Sequence, residues 1–245
     1  MKIPTINGLI DRRILVNYQV EPEVLQRVLP DPFRPLVVRG KGLAGICLIR
    51  LTQVRPAGLP AWLGISSENA AHRVAVEWDE NGVTRQGVYV ERRDTDSWLN
   101  SLAGGRIFPG EHYHARFVVE ETARRWDVAL QSDDQQTMVA VSTEPAERLS
   151  SSSIFADLQE CSRFFEAGSL GYSATGKAGQ FQGLELRCLK WQAEPLGVRH
   201  VSSSFFDDTA RFPPGSMRFD SALLMRGIPH QWYERADLCC PAKAG

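Results

Sequence analysis

Lysine is scarce in this chain. Only five of its 28 basic residues are lysines, at Lys2, Lys41, Lys177, Lys190 and Lys243. Chemistry that needs a side-chain amine therefore has few candidates. Charge of one sign is also lacking: 28 basic side chains meet 29 acidic ones, for a net charge of -1. No electrostatic footprint for nucleic acid is expected from that balance. The five cysteines, Cys47, Cys161, Cys188, Cys239 and Cys240, include no C-x-x-C pair, and their number is odd. This argues against a disulfide framework or a zinc knuckle and fits a reducing compartment. There is no apolar N-terminal h-region and no apolar run near the ~20 residues that span a bilayer. The expectation is a cytoplasmic protein without a membrane partner.

What the sequence does hold is strands. In a chain of 245 residues, 43% of them hydrophobic, most segments alternate at period two. RILVNYQV (13–20) sets Ile14, Val16, Tyr18 and Val20 on one face, and similar runs follow at 44–54, 71–78, 86–91, 112–120, 124–131, 137–143 and 184–193. NG at 81–82 and SDDQQ at 132–136 supply hairpin-turn chemistry. Helices are expected at 21–29, 94–105 and 151–168, the last capped by a serine and closed by Gly168. The loops 55–64 and 207–216 carry Trp62 and Phe212, and each covers a pocket or is anchored by its own aromatic. No repeat or linker divides the chain. One domain, 1–245, is expected, with a frayed tail from about 237.

Two familiar motifs fail. GYSATGK (171–177) has the glycines and lysine of a phosphate loop, but Ala178 stands where Ser or Thr must hold magnesium, so a turn is expected. HYH (112–114) has metal-ligand spacing, yet Glu120 would sit ~20 Å further along an extended strand. Glu111 points to the opposite face. No metal and no cofactor are expected, and no G-x-S-x-G elbow is present.

Parity supplies the site candidates. In ISSENAAHRVAVEW, Glu68 and His72 share the face of Val74, Val76 and Trp78. A carboxylate on an apolar face is paired or functional, or it precedes the strand in solvent, and His72 can be a satisfied core histidine. Arg50 shares the face of Ile46 and Leu48, where it would bind a carboxylate or reach the rim. His112, His114 and Arg116 share the face opposite Tyr113, Ala115, Phe117 and Val119. That face is either solvent or a cavity wall that titrates near neutrality.

The segments DRRILVNYQVEPEVLQRVLPDPFRP, AGICLIRL, ENAAHRVAVEW, FPGEHYHARF, GLELRCLKWQAEPL and FPPGSMRFDSALLMRGIPHQW, in this order, resemble the uncharacterised bacterial YqjF-type proteins of the acetoacetate decarboxylase-like superfamily. The resemblance covers nearly the whole chain. It implies a mainly β (α+β) fold, an antiparallel β barrel or cone with a central cavity and about three flanking helices. It also implies an N-terminal cavity arginine at Arg12 or Arg13 and a cavity glutamate similar in context to Glu68. The namesake enzyme decarboxylates a β-keto acid through a lysine Schiff base. That lysine corresponds to the segment 105–114, GRIFPGEHYH, which has none. Lys190, alternating with Leu184, Leu186 and Cys188, is the one lysine on an inward parity.

The expected function is therefore small-molecule binding on this fold. The ligand would be a small organic acid or carbonyl compound, held by Arg13, Arg50, His72, His112 and His114. The alternative is lysine-independent acid-base catalysis through Glu68, and a decarboxylase with a relocated lysine comes third. The expected partner is a small molecule, with a homo-oligomer left open.

Overall fold

The alternating runs of the sequence become long strands that bend around two cores. A computed structural model describes residues 5–98 and 111–239. Within them the strands are β1 (Ile6–Val20), β2 (Arg34–Pro35), β3 (Val37–Val38), β4 (Lys41–Pro56), β5 (Ile65–Glu80), β6 (Val83–Thr95) and β7 (His112–Thr122). They continue as β8 (Arg125–Ser132), β9 (Met138–Pro145), β10 (Leu170–Ala174), β11 (Gln180–Cys188), β12 (Glu194–Ser203) and β13 (Met217–Cys239). The helices are α1 (Pro22–Val28) and α2 (Leu158–Ala167), with a short 3-10 turn at Ala61–Leu63.

One sheet holds all the strands, and its pairings close on themselves. β13, β1, β4, β5 and β6 lie side by side. On one side the ring closes through β10 and β11, because β11 also pairs with the far end of β13. On the other it closes through β7, β8, β9 and β12. The length of β13, 23 residues, lets it serve both closures. Pairing is antiparallel except for β6 with β7 and β6 with β10, which run parallel. The turn at Asn81-Gly82 has both φ angles positive, at 51° and 78°, as the sequence pair demands.

The shared strands are buried on both faces, which parallel or doubly covered sheets require. Ile14, Val16, Ile46, Leu48, Val74 and Trp78 belong to the core under β8 and β9. Leu15, Leu43, Cys47, Ile49, Leu223 and Met225 belong to a second core on the reverse face, capped by α2. There α2 buries Cys161 and Phe165. Buried Asp220 on β13 fixes the approach to α2 by accepting from the Ile154 N–H at 2.7 Å and from Gln19 Nε2 at 2.7 Å.

Several sequence expectations need correcting. α2 starts at Leu158, not in the serine run, because Asp157 caps it: its carboxylate accepts from the Glu160 N–H at 2.7 Å. Glu160 reaches back in turn, accepting from the Ala156 N–H one residue before the cap. Of the helix expected at 94–105, Asp94 and Thr95 end β6 instead, and 99–110 lie outside the described residues. Gly171–Ala174, expected as a turn, pair with both β6 and β11. Residues 237–239, expected within a frayed tail, belong to β13: Leu238 is buried and Cys239 pairs with Gln180. Phe212 is a buried anchor, whereas Trp62 is 80% exposed.

Candidate functional site

A cavity of about 400 Å³ opens on the α2 side of the shared sheet, inside the ring closed by β10 and β11. Cys47 of β4 and Ala71 of β5, which are register partners, lie side by side in its wall. Arg13 enters from β1, Arg73 from β5, Arg93 from β6 and His112 from β7. Leu184, Leu186, Trp191 and Trp232 supply apolar wall, and Phe165 of α2 covers it. This mixture of apolar surface with a few convergent polar groups is the composition of a small-molecule site.

The arginines define the electrostatics. Arg13 donates Nε to Cys47 Sγ at 3.4 Å and Nη1 to Met225 Sδ at 4.0 Å. Both sulfurs are weak acceptors. Arg73 is 7% exposed, donates Nη2 to Asn17 Oδ1 at 2.7 Å and lies over the Phe165 ring at 4.8 Å. Gly45, the register partner of Arg73 and Asn17, holds the two strands close there: a Cβ on it would stand 2.3 Å from the Val16 carbonyl oxygen. Arg93 donates Nη2 to Ser173 Oγ at 3.0 Å. Among the described residues the Nε groups of Arg73 and Arg93, like that of Arg12, have no hydrogen-bond partner. Burial holds the Arg73 and Arg93 guanidinium groups down to about 10. They stay charged at neutral pH, and among the described residues none of the three cavity arginines forms an ion pair.

Two acidic residues border the cavity, but the Asp94 carboxylate turns to the reverse face: its register partner Ala70 lies in that core, and Arg93 beside it takes the cavity face. Asp94 is fully buried, and burial raises its carboxyl against the opposing pull of Arg92, which donates Nε at 3.0 Å. Arg92 also holds Asp134 at 2.9 Å. Glu166, on the last turn of α2, is exposed.

The candidates picked by parity divide between the faces. Arg13 and His112 line the cavity. Glu68, Arg50 and His72 do not: they project to the reverse face, because inward parity on a doubly buried strand has two solutions. Glu68 Oε2 accepts from Arg12 Nη2 at 2.6 Å, and its Oε1 accepts from Arg50 Nε at 2.5 Å. Arg12 also pairs with Glu121, as does Arg50 at 3.2 Å. His72 is wholly buried between Phe205 and Phe206, with Nε2 3.0 Å from Ser203 Oγ. Burial lowers its pKa to about 3, with Arg92 and Arg211 contributing. His114 sits outside the cavity lining, stacked on Trp98 at 3.8 Å with Nδ1 2.7 Å from Asp133 Oδ2.

Lysines are absent from the described lining. Leu184, Leu186 and Cys188 do face the cavity, but β11 stops at Cys188 and Lys190 falls in the exposed bend beyond it. Lys41 pairs with Glu21 at 2.5 Å, and Lys177 is exposed in a turn. Residues 99–110, outside the described set, contain no lysine in their sequence.

Sequence reasoning missed Arg73, Arg93 and Cys47. The signal was available for two: Arg73 and Cys47 alternate with apolar residues on strands too apolar to have a wet face, whereas Arg93 stands in the charged run ERRDT beyond a register shift and no alternation marks it.

Residues 10–218 match the DUF2071 family, described as an uncharacterized conserved protein (COG2071). The chain belongs to that family. Its fold is that of the acetoacetate decarboxylase-like proteins. Acetoacetate decarboxylase from Legionella pneumophila subsp. pneumophila str. Philadelphia 1 superposes with a TM-score of 0.60 at 13% identity, over 95% of this chain and 87% of that one. An acetoacetate decarboxylase-like enzyme from Sphingomonas wittichii RW1 gives 0.61 at 10% identity, over 98% and 94%. The enduracididine biosynthesis enzyme MppR, in complex with pyruvate, gives 0.60 at 12% identity, over 98% and 91%. No curated protein matches by sequence. Among the described residues no helix is long and apolar enough to cross a membrane.

Proposed function

We propose that this DUF2071 protein binds a small organic acid or a carbonyl-bearing acid in the α2-side cavity, without a Schiff-base amine. The observation that carries the reading is Arg13. Its guanidinium lines an apolar-walled cavity, where it hydrogen-bonds two sulfurs, lies 6.0 Å from the Trp191 ring and meets no carboxylate among the described residues. A carboxylate would replace those weak contacts with a bidentate, charge-assisted pair. The MppR complex with pyruvate supports the reading as a case of this fold taking up a keto acid.

Thermal melts of the full chain in a series of small carboxylic and keto acids test it, with the matching amides as controls. Acids at saturating concentration should raise the melting temperature, since a ligand at 100 times its Kd stabilises by about 2.7 kcal/mol. The amides should not. A series in which no acid shifts the transition would end this reading.

A second reading, catalysis without lysine, has its own support in His112. It lines the cavity and meets Arg93 across the β6–β7 register, and histidine is the commonest proton-transfer side chain. Glu68 does not serve this role, being sealed into its arginine pairs on the other face. Incubating stabilising acids with the protein and following their consumption separates the two readings. Borohydride reduction with acetoacetate should leave no covalent adduct, and an adduct would restore a Schiff-base mechanism.

A further inference from the structure

The three cavity arginines carry more positive charge than one carboxylate can satisfy, and they are not gathered at one point. Arg73 reaches back across Gly45 to Asn17 on β1, the strand that carries Arg13, and the positive charge of Arg13 is felt there. Arg93 turns the other way, to Ser173 on β10. Between these poles lie the side-by-side residues Cys47 and Ala71, with Ala71 in turn opposite Arg93 on β6. From β1 to β6 the sheet steps through three strand spacings, about 14 Å if flat. The side chains above this floor are short, and Val88, Val90 and Leu184 wall the space above it.

Neither of the two acidic residues neutralises the poles. Asp94 is held by Arg92, and Glu166 makes no ion pair with any of the three arginines among the described residues. A buried charge left without a partner costs several kcal/mol. The burial that lowers Arg73 and Arg93 to about 10 is the mark of that cost. An anion at Arg13 and Arg73 would still leave Arg93 uncompensated.

We propose that the cavity is built for a dicarboxylic acid, one carboxylate held by Arg13 and Arg73, the other by Arg93, and the carbon chain lying over Cys47 and Ala71. This rests on the acid-binding reading above and narrows it to a substrate class with two anionic ends. The two-pole layout favours a chain long enough to cross the floor over a compact dianion.

Calorimetric titration of the full chain tests the proposal with malonate, succinate, adipate, monomethyl adipate, hexanoate and inorganic phosphate. Affinity should rise from malonate to adipate. Adipate should bind at least about tenfold tighter than hexanoate or monomethyl adipate, the worth of one charged hydrogen-bonded pair. Arg93→Gln should abolish the advantage of adipate over hexanoate, and Arg93→Lys should recover part of it. Should Arg93→Gln fail to fold, the comparison of adipate with its monomethyl ester in the unaltered protein decides alone. Hexanoate matching adipate would overturn the dicarboxylate and leave acid binding standing. Phosphate binding as tightly as adipate would overturn the two poles. Binding of none of these acids would overturn both the narrower and the broader reading.

Discussion

Arg12 and Arg13 are neighbours in sequence and face opposite sides of the same strand. On the reverse face Arg12 is 2% exposed and meets Glu68 and Glu121, with Arg50 completing the group. Two arginines face Glu68 and Glu121 there, with Asp11 3.6 Å from Arg50, so each arginine has carboxylate partners. On the cavity face Arg13, Arg73 and Arg93 meet sulfur, an amide oxygen and a hydroxyl. The first cluster gives every arginine a carboxylate, though Arg12 Nε has no hydrogen-bond partner among the described residues, and reads as architecture. The second is electrically unfinished and reads as a site. Charged residues in a core are therefore informative through their partners, not through their burial.

The sharpest way to break this comparison is to unbalance the closed cluster. Glu68→Gln keeps the volume and removes the charge that both Arg12 and Arg50 use. Removing one partner of a buried pair costs about 3–5 kcal/mol. Denaturant unfolding should show that loss, with acid binding in the folded fraction unchanged. A stable Glu68→Gln that no longer binds acids would reverse the roles of the two faces.

The cavity face should answer with the opposite sign. Arg93→Met takes away a charge with no carboxylate partner and fills similar space with apolar atoms. Stability should hold or rise, by up to about 2 kcal/mol, since exchanging buried ionic groups for apolar ones of similar volume is often neutral or stabilising. A loss above about 1 kcal/mol in the same unfolding measurement would show that Arg93 is structural after all.

Each face also buries one histidine, and pH probes both. His72 is lowered to about 3 and His230 to about 4, in each case first by burial. Unfolded, both should titrate near 6.5. Between the folded and unfolded values the unfolded chain binds more protons, so stability is full above pH 6.5 and falls as pH drops toward 4. Each histidine contributes a slope of up to about 1.4 kcal/mol per pH unit. Proton NMR should find neither ring titrating between pH 5 and 8. A His230 ring that titrates normally would mean that the cavity side is wetted as far as Gly8, on which that ring packs.

The strands were legible in the sequence because alternation survives even where both faces are covered. β10, β12 and β13 were not read as strands: β10 hides in a glycine-rich motif, and β13 carries Gly227 and Pro229 inside its run. The lysine gap was legible outright. The site was legible only in part, because parity says which residues share a face and not which face holds the cavity. Arg13 and His112 line the cavity, and Glu68, Arg50 and His72 fell to the other face by a single step of register. Pairing across β1, β4, β5 and β6 is what brings Arg73 and Arg93 to Arg13, and no local pattern contains it.

The smallest expected effect concerns the two histidines of β7, which share a strand face and differ in surroundings. His114 is tied to Asp133, whose side chain is 43% exposed. Solvent screening limits such a pair to about 0.2–1 kcal/mol. His114→Ala should therefore lower stability by that little and leave acid affinity alone. His112 lines the cavity opposite Arg93 in the β6–β7 register. His112→Ala should weaken acid binding several-fold at near-constant stability, read by the same titration. If the two variants changed binding equally, the boundary of the cavity along β7 would have to be moved past His114, and the balanced and unbalanced faces would meet there.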